Sequence, residues 1–508
     1  MRLARVGAAM GLLVWASAFL MAQVGGRDSV PSAVLRGRVT GAQQNTYVEV
    51  PFAVPAGTSR VTLTFAYTGK EQHTALDLGL EDTEGLRCWS GGNKSLLTVA
   101  EAEATPSCLP GRLPAGTWKV LIGVPSIRQG QVSEYTAKVY LSSTGSLPET
   151  AGVSGGTGAV RAGTGWYRGD LHMHTAHSDG SCTSESGKKR VPCPVFLTAD
   201  AAARRGLDFI AITDHNATSH YDAMRELTPY FDELLLIPGR EITTFHGHMN
   251  VFGTEQFLDF RLGSAAVPDI DTLLRRAQRL GAVVSLNHPG APTGERCMGC
   301  GWDPSPAADM KLVQAVEAIN SGSEEGPYSG VPFWERGLNQ GYRLTAVGGS
   351  DNHNAKKPLE QVGSVGSPTT VVYAAELSTA AVLEAIRAGH VFVDLTASRD
   401  KLLEVRAEAA GRTASMGDRM EAPAGVTVQL AARVVQGAGA KVMWIEDGKA
   451  MGEASLPVAG EDQTLGMEWK SDGARHWIRA EVRGADGHLW LLGNPVYMNW
   501  QAATGGAK

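Results

Sequence analysis

The sequence predicts a multidomain chain of α/β plus β class, with a central β/α region set between two β-rich regions. Three observations carry that expectation. The chain has 508 residues, more than one ordinary core accommodates, and its 43% hydrophobic content is enough for several. Between residues 166 and 395, helix-like stretches alternate with short apolar strands, often with glycine at the junction. On either side lie short β-rich stretches bounded by Gly, Pro or Asn, with no long helical period.

Taken in order, residues 1–22 read as an export signal. Arg2 and Arg5 precede an apolar run over 7–21, and Ala16, Ser17, Ala18 and Ala22 supply small residues for cleavage. An uncleaved anchor is the alternative, although the run is short for a span. The chain is therefore expected to be exported, periplasmic or secreted, with no other membrane segment. Residues 24–145, with strands near 46–52, 60–67 and 118–124, predict an N-terminal β-sandwich. Residues 146–165, rich in Gly, Ser, Thr and Ala, read as a linker.

From 166 to 395 the pattern predicts helices over 196–206, 270–280, 331–340 and 380–388. Each leads into an apolar strand: 207–213, 282–286, 343–347 and 391–393. This is the pattern of a mostly parallel sheet, closed or nearly closed into a barrel. Residues 396–505, with strands near 426–434, 440–446, 477–482 and 489–492 and turns at Asp447-Gly448 and Asp486-Gly487, predict a C-terminal Ig-like β-sandwich.

The six cysteines fall into three local couples, Cys88/Cys108, Cys182/Cys193 and Cys297/Cys300, and an even count in an exported chain suggests disulfides. The Cys297/Cys300 couple could instead bind metal or act in redox exchange, but no second CxxC completes a zinc ribbon. A formal charge of -6 gives no general attraction to nucleic acid or anionic membrane, and no nucleic-acid partner is expected.

Chemistry concentrates in the central region. Nine of the 13 histidines lie between His172 and His353. They follow apolar strands, together with carboxylates: Asp170-Leu-His172-Met-His174 and then Asp179; Asp214-His215; Arg240-Glu241, His246 and His248; Asn287-His288; Asp351-Asn-His353. In a β/α barrel the strand ends converge on one cup, so residues far apart in sequence meet. Two histidines two residues apart on a strand project to the same side and can share one cation. Imidazole with carboxylate suits Zn, Mn or Fe. Of the pair His246 and His248, the second is the expected ligand, because it leads into the β-like run 249–252. His177 and His220 read as pocket-wall or surface residues. Glu317, at the end of another apparent strand, reads as a partner that orients a ligand histidine.

These strings resemble a known family. His172-Met-His174-Thr-Ala-His-Ser-Asp179-Gly is similar to the first motif of PHP (polymerase and histidinol phosphatase) domains. Thr213-Asp-His215 is similar to the second. Glu241, His248 and Asn287-His288-Pro are similar to the third group, and Gly349-Ser-Asp351-Asn-His353 to the fourth. The layout, with an export signal and a C-terminal β region, is most similar to the CehA/McbA-type PHP hydrolases.

The resemblance covers about 166–395 and implies a PHP-type distorted (β/α)7 barrel with two or three divalent ions. It implies a first ion on His172, His174, Glu241 and Asp351, and a second on Glu241, His248 and His288. It implies a third on Asp179, His215 and His353, where some PHP proteins carry His in place of Asp179.

The expected activity is hydrolysis of a small-molecule phosphate ester by a hydroxide held between metal ions. A carboxylic or carbamic ester is the alternative substrate, and a catalytically silent protein that grips a surface polymer is the alternative from another class. His177, His220 and His246 are candidates for the acid that protonates the leaving group. Arg240, Lys356 and Lys357 are candidates for holding a phosphate.

Overall fold

Alternation sets the strands of the first region. In Thr58–Tyr67 and Val132–Ser143 nearly every second residue is buried, so each strand has one apolar face. The computed structural model, which describes residues 30–89, 94–105, 108–143, 158–293, 299–452 and 455–500, closes those faces on each other. One antiparallel sheet runs Ala33–Thr40, Val132–Ser143, Thr58–Tyr67, Leu96–Ala100; a second runs Tyr47–Val54, Gly116–Ser126, Ala75–Glu81, Leu86–Trp89. Leu63 and Val139 of the first share a core cluster with Leu78, Trp118 and Val120 of the second. Cys88 and Cys108 form a disulfide, as the local pairing anticipates. The export segment 1–22 lies outside the described residues.

The central strands have a different burial signature. In chain order they are β1 (Arg161–Asp170), β2 (Phe209–Ile212), β3 (Leu235–Thr244), β4 (Gly247–Phe252), β5 (Val283–Leu286), β6 (Ala315–Asn320), β7 (Thr345–Gly349), β8 (Thr369–Leu377) and β9 (Val391–Asp394). All four residues of β2 and of β5 are buried, the mark of strands covered on both faces. Helices α1 (Val195–Arg205), α2 (His220–Leu227), α3 (Ile270–Arg279), α4 (Val331–Asn339) and α5 (Thr379–Ala388) accompany them. Gly206 and Gly389 end α1 and α5 in left-handed conformations that only glycine adopts at little cost.

The strands pair in unbroken order from β7 through β1, and then to β8 and β9. Pairs β1–β2, β2–β3, β5–β6 and β6–β7 are parallel; β3–β4 and β4–β5 are antiparallel. The run thus departs from strict β/α alternation at one hairpin, where Glu241 and His248 face inward from neighbouring strands. Beyond the strand ends, Met173 and Asn352 form a parallel bridge, and His174 N donates to Asn352 O at 2.8 Å, so the first and last strands of the run meet.

Two boundaries differ from the sequence expectation. β1 starts at Arg161, inside the stretch read as linker, because β8 supplies it with a pairing edge from Leu377 to Thr370. At the other end, β9 pairs antiparallel with Leu489–Gly493, and the sheet continues into His476–Arg483 and Lys441–Glu446. A separate four-stranded sheet runs Arg412–Ser415, Leu402–Ala409, Thr427–Val435, Asp462–Lys470. Val371 of β8 and Phe392 of β9 pack in one cluster with Leu403, Val428, Trp444 and Ile478. Sheet and core therefore cross the position at 395 where the sequence changes pattern. The chain is mixed α/β, mostly strand, in several sheets. Among the described residues no helix is long and apolar enough to cross a membrane.

Asn494 rivets this junction. Its amide accepts from Ala346 N at 2.8 Å and donates to Ala346 O and Val391 O, each at 2.9 Å, while 1% exposed. With three buried hydrogen bonds at about 1 kcal/mol each, Asn494→Ala is expected to destabilise the central and C-terminal sheets by roughly 2–4 kcal/mol. Urea unfolding followed by tryptophan fluorescence checks this; an unchanged midpoint would remove Asn494 from that role.

Candidate metal centre

The first His pair is placed by a buried carboxylate. Asp170, at the end of β1, accepts from His172 N and Ser350 N at 3.1 Å and from Gly366 N at 2.7 Å. It thereby joins the first motif to the segment after β7. Burial pushes its carboxyl pKa up against the lowering effect of those donors. Asp214, also fully buried, accepts from Thr175 N (2.7 Å), Thr175 Oγ1 (2.6 Å) and Ser178 Oγ (2.6 Å), and so shapes the loop that brings Asp179 round to the site.

Four side chains from three strand ends converge. His172 Nε2 and His174 Nε2 each lie 3.5 Å from Glu241 Oε2, and they lie 3.3 and 3.2 Å from Asp351 Oδ1. Two donors bound at 2.0–2.1 Å to one tetrahedral ion stand roughly 3.4 Å apart, and all four separations fall close to that value. Among the described residues, His172 Nε2, both nitrogens of His174 and Glu241 Oε2 are buried without an aligned hydrogen bond. Lone pairs that converge on a common point, rather than on each other, are what an ion between them requires. The donor set therefore fits a divalent cation.

The other oxygen of Glu241 faces a second pair: Oε1 is 3.2 Å from His248 Nδ1 and 3.5 Å from His288 Nε2. Asn287 Nδ2 donates to the same oxygen at 2.9 Å. Cys300 lies within ligand distance of His248 and His288, but it is disulfide-bonded, and such a sulfur has no thiolate to offer. Cys297 is outside the described residues. Cys182 and Cys193, expected as a bridge, are buried neighbours with free thiols, and burial pushes the Cys193 thiol up to about 12.

A third group is more open. Asp179 Oδ1 lies 3.2 Å from His353 Nε2 and 3.7 Å from His215 Nε2, with His174 Nδ1 at 4.0 Å. The Asp179 side chain is 59% exposed, His353 37% and His215 27%, whereas His172, His174 and Glu241 are at most 1% exposed.

Outer contacts fix the ring orientations. His172 Nδ1 is 2.8 Å from Glu317 Oε1; a carboxylate only accepts, so the proton sits on Nδ1 and Nε2 presents its lone pair inward. Glu317 Oε2 also accepts from His288 N (2.9 Å) and Asn320 Nδ2 (3.0 Å), and Asn320 Nδ2 reaches Asp351 Oδ2 at 3.2 Å. His288 Nδ1 donates to Cys300 O (3.1 Å) and His353 Nδ1 to Asp351 O (2.9 Å). His215 Nδ1 lies 2.6 Å from Thr243 Oγ1 and 2.8 Å from Glu241 Oε2.

Comparison with known proteins adds a likeness to solved structures. No family model and no curated protein matches the chain. A solved structure from Bifidobacterium adolescentis, provisionally described as a metal-dependent phosphoesterase, is similar at 17% identity, over 39% of this chain and 91% of that one, with a TM-score of 0.26.

All nine residues expected as ligands lie in these groups. Other candidates do not. Arg240 lies apart from them: Glu241 faces the cluster, so its neighbour on β3 points the opposite way. Arg240 is 1% exposed, donates to Gln256 O and lies over the Phe257 ring. His177 Nδ1 is 2.8 Å from Ser219 Oγ, and His246 is half-exposed at the β3–β4 turn, 3.8 Å from Asp303; neither joins a ligand group. His220 is fully buried, contacts Gly239 O, and is pushed down to about 4 by burial. Lys356 is exposed and pairs with Glu185 at 3.5 Å. Sequence reasoning gave Glu317 an orienting role but assigned none to Asp170, Asp214, Asn287 or Asn320. A polar residue beside a ligand in a buried strand was the available signal.

Electrostatics bind the groups together. Burial pushes the carboxyls of Glu241 and Asp351 up, but His172 and the neighbouring rings outweigh it and hold both well below the usual carboxylate range. Burial likewise lowers His353, yet Asp179 and Asp351 raise it to about 9. Asp179, raised by burial, is brought down to about 2 by His353, His215 and His174.

Two predictions follow from this geometry. Glu317→Ala removes the acceptor that orients His172 and is expected to weaken divalent-ion binding roughly 10–100-fold; isothermal titration giving wild-type affinity would count against it. The second concerns pH. In metal-free protein, His353, with its raised pKa, adds stability that is complete below about pH 6.5 and lost as pH rises through about 9. Asp179 adds stability that is complete above about pH 4 and lost as pH falls through about 2. Their exposure makes both contributions modest. Metal-free protein should therefore melt lower at pH 9.5 than at pH 6. Divalent-ion affinity should rise over the same interval, since an ion displaces the His353 proton. Calorimetry at the two pH values checks both.

Proposed function

We propose that this chain is a metal-dependent hydrolase of PHP type, acting as a phosphoesterase on small-molecule esters, with the central strands forming the distorted barrel that the motif order implies. The observation that carries the reading is the set of four near-tetrahedral separations among His172, His174, Glu241 and Asp351, with the second oxygen of Glu241 turned to His248 and His288. In this reading His172, His174, Glu241 and Asp351 hold one ion, Glu241, His248 and His288 a second, and Asp179, His215 and His353 a third, of Zn, Mn or Fe type. The order of the motifs supports a phosphate ester as substrate. The export-like segment 1–22 and the disulfide-bonded Cys88, Cys108 and Cys300 support an exported protein of CehA/McbA type.

Bound divalent cations supply a water that ionises near neutral pH and positive charge for the substrate oxygens. The chain's own residues do the positioning. Glu241 turns one oxygen to each histidine pair and sets them side by side. Glu317 holds His172 and the backbone of His288. Asp170 keeps the first and last motifs in register. The open flank at Asp179 and His353 leaves a side from which substrate approaches.

Asp351→Ala and His172→Ala are expected to lower turnover of aryl phosphate mono- or diesters by at least about 10³-fold, in line with removing a group that acts as part of a unit, while the circular dichroism of the β-sheets stays unchanged. Hydrolysis of aryl carbamates or carboxylic esters, with none of any phosphate ester by the Zn-, Mn- or Fe-loaded protein, would overturn the phosphoesterase reading. Absence of turnover on every ester class would overturn the hydrolase reading itself.

A further inference from the structure

We propose that His174 bridges two cations, binding one through Nε2 together with His172, Glu241 and Asp351, and a second through Nδ1 together with Asp179, His215 and His353. The inference rests on reading the site as a metal centre but assigns to His174 a role that this reading does not need.

The argument starts from how the neighbouring histidines use their two nitrogens. His172, His215, His288 and His353 each spend Nδ1 on a protein oxygen: Glu317 Oε1, Thr243 Oγ1, Cys300 O and Asp351 O. That leaves Nε2 for an ion and accounts for both ends of each ring. His174 breaks the pattern. Its ring is fully buried, and among the described residues neither Nδ1 nor Nε2 has a hydrogen-bond partner. Burial without any partner is unfavourable for a polar nitrogen, and a neutral imidazole always has one N–H to satisfy.

Each nitrogen instead faces a different group of ligands. Nε2 lies 3.2 Å from Asp351 Oδ1 and 3.5 Å from Glu241 Oε2. Nδ1 lies on the other side, 4.0 Å from Asp179 Oδ1. The residue belongs to both donor clusters, that of His172 and Glu241 and that of Asp179, His215 and His353. Its ring lies near both of the latter histidines, with centroids 4.3 Å from His215 and 4.1 Å from His353, which are themselves 6.1 Å apart.

When both nitrogens bind, the N–H proton of the neutral ring passes to solvent, and two nitrogen–metal bonds form on a ring carrying one negative charge. The two ions then sit roughly 6 Å apart across the ring, given nitrogen–metal bonds of about 2.0–2.1 Å.

The test uses the full chain at saturating Zn(II). Anomalous diffraction is expected to show two peaks on His174, each about 2.0–2.1 Å from one ring nitrogen. A peak at Nε2 with water or a protein group at Nδ1 overturns the bridge. Metal content per chain gives an independent readout. His353→Ala should lose about one equivalent and His174→Ala more than one, with circular dichroism confirming that both are folded; equal losses overturn the bridge. Neither readout needs turnover. Ester hydrolysis with a single ion on His174 would sink the bridge and leave the hydrolase standing, whereas two ions on His174 without hydrolysis would do the reverse.

Discussion

Glu241 holds a negative charge where water does not reach, and five imidazoles, those of His172, His174, His215, His248 and His288, stand within about a ligand's width of its two oxygens. An isolated carboxylate in such a place is unfavourable by several kcal/mol. The charge therefore has to be answered from inside. In the absence of metal a proton on His172 answers part of it: Asp351, Glu317 and Glu241 together raise that ring well above its ordinary range despite the opposing effect of burial, whereas burial lowers His174. Divalent ions answer the same charge more completely. A bound cation and the His172 proton would thus serve the same electrostatic task.

The backbone has been shaped to let these groups approach. Gly349 ends β7 where a Cβ would lie 2.2 Å from Glu317 Oε1 and 2.5 Å from His172 Cβ, so only glycine leaves room for the Glu317–His172 contact. Gly180 follows Asp179 with its Cα against the backbone of His174 and Thr175, where a side chain would collide. The β3–β4 hairpin places Glu241 and His248 within 3.2 Å of each other without an intervening helix. Rigid placement of ligands by packed strands, rather than by loops alone, is what keeps unpaired nitrogens and oxygens aimed at shared points.

Much of this was legible in the sequence. The helices over 196–206, 270–280, 331–340 and 380–388 appear within a residue or two of their expected bounds, because each combines a periodic apolar face with a glycine stop or a polar start. The nine candidate ligands could be picked out because they follow apolar strands, and strand ends meet in this architecture. Arg240 lies away from the ligand cluster despite its nearness to Glu241 in sequence, because on a strand adjacent residues point apart. The start of β1 was hidden by glycine-rich composition, since what makes 161–165 a strand is a partner some two hundred residues away. Cys182 and Cys193 do lie together, yet proximity in sequence did not decide their bonding. Polar residues such as Asp170 and Asn320 were given no role because their importance lies in whom they touch, which only the folded arrangement reveals.

The pairing of β9 with Leu489–Gly493 has a consequence for dissecting this molecule. A fragment ending near 395 would carry every candidate ligand, but it would also lay bare the hydrogen-bonding edge of Val391–Asp394 beside the newly uncovered side chains of Val371 and Phe392. Such a ribbon invites a second copy to dock and extend it into aggregates. The tail region thus works as a stopper against self-association, and the smallest piece that stays dispersed is expected to be the central strands together with their C-terminal cover.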